Sequence, residues 1–178
     1  MACSLLKHTR GLMVLEKRRE KMNDFWDTHS LHYLEMAFEI GNRERIQNPD
    51  GYGKRTGECG DTIEFFIMVD QGILNQVSFE VQGCLNTVAC SNTLVHLTRS
   101  ISVEKAWDIL PEDISSFLQT LPHDHFHCAE LALGAFYLAL SDYLNKRKVR
   151  FEGPGDQNPV NQNRVNQENA EIINFAKF

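Results

Sequence analysis

Three cysteines of this chain lie beside glycine or histidine at points where the residue pattern changes. Cys59 sits in Gly57-Glu58-Cys59-Gly60-Asp61, Cys84 in Val81-Gln82-Gly83-Cys84, and Cys128 in Phe126-His127-Cys128-Ala129-Glu130-Leu131. Thiolate sulfur is a soft ligand for iron and zinc, and Asp61, two residues past Cys59, offers a harder oxygen. Three thiols and a carboxylate brought together by folding suit a soft-metal or iron–sulfur site. Cys84 and Cys128 each open a helical pattern, and a helix N-terminus favours thiolate through its backbone N–H groups and dipole. Gly57, Gly60 and Gly83 allow tight backbone close to the sulfurs.

The other candidates read differently. Cys90 follows Cys84 by six residues, about 120° around a helix, so the two do not share a metal, and Cys90 reads as packing. Cys3 lies in a basic stretch with no ligand type beside it. His123, His125 and His127 read as much like a polar loop and helix cap as like ligands. His127 is kept as a metal-ligand candidate, because it adjoins Cys128 and could replace it or hold its proton. His29 and His32 belong to the face of a first helix, and His8 and His96 carry no signal.

The elements that must position these groups follow from periodicity. Asp24 to Ile40 has Phe25, His29, His32, Met36 and Ile40 near one face, which predicts a helix ended by Gly41-Asn42. Asn48-Pro49-Asp50-Gly51-Tyr52-Gly53 has the turn chemistry of a loop. Ile63, Phe65, Ile67 and Val69 alternate with Glu64, Phe66, Met68 and Asp70, and Val77, Phe79 and Val81 alternate after Asp70-Gln71-Gly72. That pattern predicts an antiparallel hairpin. Helical patterns follow from Cys84 to about Thr98, from Ser102 to about Ile109, from Pro111 to about Leu121 and from His127 to about Lys146. Ser102 is a candidate N-cap and Pro111 fits a first turn. The economical assembly is an α+β fold, a small antiparallel sheet of about three strands with helices on one face.

The chain has 178 residues, 42 % of them apolar and 24 % charged, enough for one domain with tails. We expect a basic extension over residues 1–22, a domain over 23–148, and a disordered tail over 149–178, where Asn and Gln supply nine of thirty residues. The net charge of −6 argues against a nucleic-acid partner. No apolar run of about 18 residues is present, so no membrane span is expected. Lys7, Arg10, Lys17, Arg18 and Arg19 interrupt the first twenty residues, unlike a signal peptide. The expected compartment is the cytoplasm, where five cysteines serve as thiols or ligands rather than as a disulfide frame.

Gly-x-Cys-Gly-Asp, a hairpin, Gln-Gly-Cys with a helix, and His-Cys-Ala-Glu-Leu-Ala in that order resemble the iron–sulfur cluster assembly scaffolds of the IscU/NifU N-terminal type. The resemblance is close from about Thr56 to Tyr143 and looser from Asp24 to Arg55. It implies that Cys59, Cys84 and Cys128 hold the cluster, with Asp61 and His127 at the family's aspartate and histidine positions. It further implies a non-catalytic platform that accepts persulfide sulfur from a cysteine desulfurase, binds iron, assembles a labile [2Fe–2S] cluster and passes it to apo iron–sulfur proteins. The family's Leu-Pro-Pro-x-Lys segment, read in some members by an Hsp70-type chaperone, stands here as Leu121-Pro122-His123-Asp124-His125, so that partner is not carried over. The Ser-rich stretch after the second cysteine reads Ala89-Cys90-Ser91-Asn92, and the Asn-Pro loop matches loosely at Asn48-Pro49. No Cys-x-x-Cys follows, so the further modules of NifU have no counterpart in the sequence. Residues 85–127 are too few for the insertion of the zinc-dependent SufU type. The same ligands would also close a tetrahedral zinc site in a sulfur-relay or structural module, and sequence alone leaves that alternative open.

Overall fold

The computed structural model describes residues 25–151. The basic extension, with Cys3 and His8, and the segment after Phe151 lie outside the described residues. A helical turn at residues 25–28 leads to helix α1 (Leu31–Phe38), strands β1 (Gly51–Thr56), β2 (Thr62–Asp70) and β3 (Ile73–Gln82), then α2 (Leu85–Leu97), α3 (Val103–Ala106) and α4 (Pro111–Leu118). A 3₁₀ turn (His123–His125) runs directly into α5 (Phe126–Phe151). The strands form one antiparallel sheet in the order β1-β2-β3. The fold is α+β as the pattern implies, with α5 across β1 and β2 and α2 against β3.

The β2–β3 hairpin turns on two residues, Gln71 and Gly72, both at positive φ (49° and 82°). This is the backbone geometry whose twist matches that of the flanking strands. Ile63, Phe65 and Ile67 of β2 and Phe79 of β3 are fully buried on the helix-facing side, where Phe136 of α5 meets Phe65 edge-on at 5.7 Å. Phe66 belongs to the opposite face and is nonetheless buried. The Tyr52 ring lies 5.5 Å from it and the Arg45 guanidinium 5.0 Å from its centroid, held there by ion pairs to Glu64 (2.9 Å) and Glu80 (2.8 Å).

The structure departs from the sequence expectations at four places. Gly51-Tyr52-Gly53, read as loop, belongs to strand β1. A Cβ on Gly53 would overlap the backbone of Ala135 and Ala139, so glycine is what lets β1 lie directly on α5. The first helix is interrupted at His29-Ser30, because Ser30 leaves the helix to cap α1. Its Oγ accepts from Tyr33 N–H (3.0 Å) and donates to the Leu118 carbonyl (2.6 Å). The inward face of α1 is consequently Tyr33 and Ala37, while His32 and Ile40 are exposed. The helix ends at Phe38 rather than at Gly41, where the buried Asn92 amide of α2 donates to the Met36 and Glu39 carbonyls (2.8 and 2.9 Å). Finally, α3 and α4 are shorter than expected, and α5 is longer, continuing three residues past 148.

Candidate metal centre

Cys84 is the N-cap of α2, yet its side chain makes no capping bond. The cap comes from another element. Asp61, the residue before β2, places Oδ2 3.0 Å from the Cys84 nitrogen and 2.5 Å from the Thr87 hydroxyl oxygen, accepting from both and tying the helix start to the sheet. Gly83 makes this approach feasible, since a Cβ there would stand 2.6 Å from Asp61 Oδ2. Partial burial works against the Asp61 carboxylate, but the bonds from Thr87 and Cys84 outweigh it and hold the carboxyl below its usual range. A hydroxyl has one proton to give, and the short contact assigns that of Thr87 to Asp61. Toward Cys84 Sγ, 3.3 Å away, Thr87 is therefore the acceptor and the thiol the donor.

The first turn of α5 supplies the second sulfur. Cys128 Sγ lies 3.9 Å from Cys84 Sγ. Burial pushes the Cys128 thiol up to about 12, disfavouring its thiolate. His127 Nδ1 is 2.9 Å from the Asp124 carbonyl, which can only accept. The neutral ring thus carries its proton on Nδ1 and turns the Nε2 lone pair toward Cys128 Sγ, 3.6 Å away.

Cys59 is exposed on the β1–β2 loop, next to Gly60, whose φ is +87°. The loop is closed by Gly57 N–H to the Asp61 carbonyl (2.9 Å) and by Gly60 N–H to the Gly57 carbonyl (3.0 Å). Cys59 opens onto a cleft of about 670 Å³ that it shares with Arg55, Glu58, His127 and Glu130. Of the residues singled out from the sequence, the structure brings Cys84, Cys128, Asp61 and His127 into one network, while Cys59 lines a cleft that His127 also lines. Among the described residues, one triad of Cys, His or acidic side chains has all its ligand atoms within 4.8 Å of one another: Cys84, His125 and Cys128. His125 was not singled out by sequence reasoning. Its i, i+3 spacing to Cys128 is a signal only once a helical turn is known to join them. Cys90 is fully buried in the core, as packing requires.

These features define a class: an α+β domain whose sheet edge and two helix starts converge on thiols. Residues 39–150 match the model of the NifU-like N terminal domain family. The chain belongs to that family. It is 27 % identical over 137 residues to the iron–sulfur cluster assembly scaffold protein IscU of Aquifex aeolicus, covering 76 % of this chain and 80 % of the relative. It is 33 % identical over 93 residues to the scaffold protein IscU of Escherichia coli strain K12, covering 52 % and 72 %. The fold is similar to that of a nitrogen-fixing NifU-like protein (N-terminal) from Brucella abortus, at a TM-score of 0.54 and 16 % identity over 66 % of this chain and 94 % of that one.

Proposed function

We propose that this protein is an iron–sulfur cluster assembly scaffold and not an enzyme. Residues 23–148 form the working domain. Iron and sulfur are its cargo, a [2Fe–2S] cluster is the product built on it, and Cys59, Asp61, Cys84, Cys128 and His127 are the groups that hold or guide them. The observation that carries this reading is the 3.9 Å separation of the Cys84 and Cys128 thiols at the starts of two different helices. Two sulfurs fixed by helices and a third on a loop hold a cluster without enclosing it, which suits a cargo that must leave. A harder carboxylate beside them makes the shell weaker than four thiolates.

The partners follow from the chemistry. Sulfur comes as persulfide from a cysteine desulfurase, for which exposed Cys59 is the accessible thiol, and the cluster goes to apo iron–sulfur proteins. No helix among the described residues is long and apolar enough to cross a membrane. The free thiols fit a reducing compartment, for which we take the cytoplasm. The zinc reading draws no support from the relatives, which are named as cluster scaffolds.

The test is anaerobic reconstitution of the full chain with ferrous iron, L-cysteine, a cysteine desulfurase and a dithiol reductant, which supplies the electrons that take persulfide sulfur to sulfide. The expected product has the visible absorption of a [2Fe–2S] cluster with matching iron and sulfide, and it loses the cluster to an apo-ferredoxin. Cys59→Ser, Cys84→Ser and Cys128→Ser should each abolish stable cluster. A chain that yields no chromophore and keeps stoichiometric zinc through reconstitution would overturn the reading.

A further inference from the structure

Along β1 the positions that face α5 are Gly51, Gly53 and Arg55, and just past the strand's end Gly57. A Cβ on Gly51 or Gly53 would overlap the α5 backbone at Ala139 or Ala135. Arg55 is thus the one side chain in a row of glycines, half-buried on the helix-facing side of an edge strand. Gly134 of α5 makes the room for it, since a Cβ there would overlap the guanidinium and stand 3.0 Å from Arg55 Cδ. The stem is held and the charged end is not. Among the described residues the guanidinium makes no hydrogen bond or ion pair, although Glu58 and Glu130 line the same cleft of about 670 Å³. Five donors on a half-buried cation suit an anion that arrives from outside the fold.

Cys59 Sγ stands over the neighbouring position of that row. A Cβ on Gly57 would meet it at 3.3 Å and Leu131 Cδ2 at 3.2 Å, so the sulfur lies on the side of Gly57 that meets α5. Leu131 and Gly134 are three residues apart on one helix face, where neighbouring positions are about 5–6 Å apart. A sulfur added to Cys59 extends it by about 2 Å, the length of an S–S bond. That extension brings the outer sulfur toward the guanidinium, from which Sγ itself is one helix position away.

We infer that Arg55 is an anion-binding residue for sulfur delivered to Cys59, seated by Gly134 so that it meets the outer sulfur of a persulfide rather than the free thiol. The inference deepens the proposed function and rests on its delivery of sulfur to Cys59. Delivery is an exchange without net oxidation. Cys59 gives its proton to solvent, and its sulfur attacks the outer sulfur of a persulfide donor, R–S–SH. The new S–S bond forms at Cys59 as the donor's breaks. The proton of the outer sulfur passes to the departing thiolate, which leaves as R–SH. The terminal sulfur left on Cys59 is an anion, and the guanidinium binds it through charge-assisted contacts.

The experiment uses the metal-free, reduced full chain with cysteine persulfide as the donor. The exchange constant at Cys59 is read by alkylation and peptide mass spectrometry. Arg55→Met keeps the stem and removes the charge, and should lower the constant about tenfold, as loss of a charge-assisted contact does. Arg55→Lys should restore most of it, at the same melting temperature as Arg55→Met. Gly134→Ala should also lower the constant by displacing the guanidinium, and should add nothing in the Arg55→Met background. Equal constants in wild type and Arg55→Met, no recovery in Arg55→Lys, additive losses in the double variant, or sulfur found only on Cys84 or Cys128 would overturn the inference. Followed in parallel, wild-type cluster assembly with a Cys59 constant indifferent to Arg55 sinks the inference and leaves the scaffold. An Arg55-dependent constant with no cluster assembly sinks the scaffold and leaves the anion site.

Discussion

Asp61 shows how one carboxylate serves two demands. It holds the start of α2 by accepting from Cys84 N–H and Thr87 Oγ, the first of these being the bond that the N3 carboxylate of a capping box makes elsewhere. To reach a metal with the same oxygen it must release that cap. Asp61→Ala should therefore cost about 1 kcal/mol of stability in the metal-free form, read as a shift of the urea midpoint at unchanged slope. The domain should still fold, since Asp61 stands at the mouth of β2 and outside the core. In the loaded form the variant should pass its cluster to apo-ferredoxin more slowly, having lost the exchangeable oxygen ligand. Transfer at the wild-type rate, or a variant that neither holds iron nor folds, speaks against Asp61 as the labile ligand. Residue types and neighbours pointed to Asp61 and the thiols in the sequence. The capping role did not show, because it joins residues 23 positions apart through a side chain aimed by the fold.

The elements were legible where burial is one-sided. β2 and β3 alternate cleanly, and their hairpin and its Gln71-Gly72 turn fall where the pattern puts them. α2 falls within one residue of its expected bounds, while α5 runs five residues past the expected Lys146. In α2 every residue from Thr87 to Val95 is buried, including Ser91, Asn92 and Thr93. Ser91 and Thr93 close on carbonyls one turn back (2.8 Å each), so polar residues occupy the core without breaking it. Such a helix has no polar face to mark its period. β1 was hidden for the opposite reason, because Gly51 and Gly53 have turn chemistry and become strand only under α5. Gly53→Ala should accordingly destabilise by about 1–3 kcal/mol, toward the upper end because the obstacle is backbone and cannot rotate away. Equilibrium denaturation decides it. A midpoint equal to wild type means that β1 and α5 can separate at little cost.

For the molecule as a whole, the fold class and the convergence of the two helix starts were readable, while the placement of Cys59 and the entry of His125 were not. Both depend on loop conformations that hydrophobic periodicity does not encode. The segment after Phe151 is polar and rich in Asn and Gln, and on composition the expectation is that the domain does not depend on it. Removing residues from Glu152 onward should leave the melting temperature within a few degrees of the full chain and leave cluster assembly intact. A larger drop would mean that Ile172, Ile173 and Phe175 dock on the domain.

The burial of α2 from Thr87 to Val95 also divides the molecule by rate of opening. Amides inside α2 have no route to solvent that spares the core, so their hydrogen exchange should require unfolding of the whole domain. The Gly57–Asp61 loop is closed by two backbone bonds at the surface and should exchange through local opening, orders of magnitude sooner. Amide exchange followed by mass spectrometry would show it, and equal protection of the two segments would refute it. Cys84 then stands at the end of the slowest element and Cys59 on one of the fastest segments. What enters or leaves between them would do so by displacement of the loop, with the helix as the fixed wall.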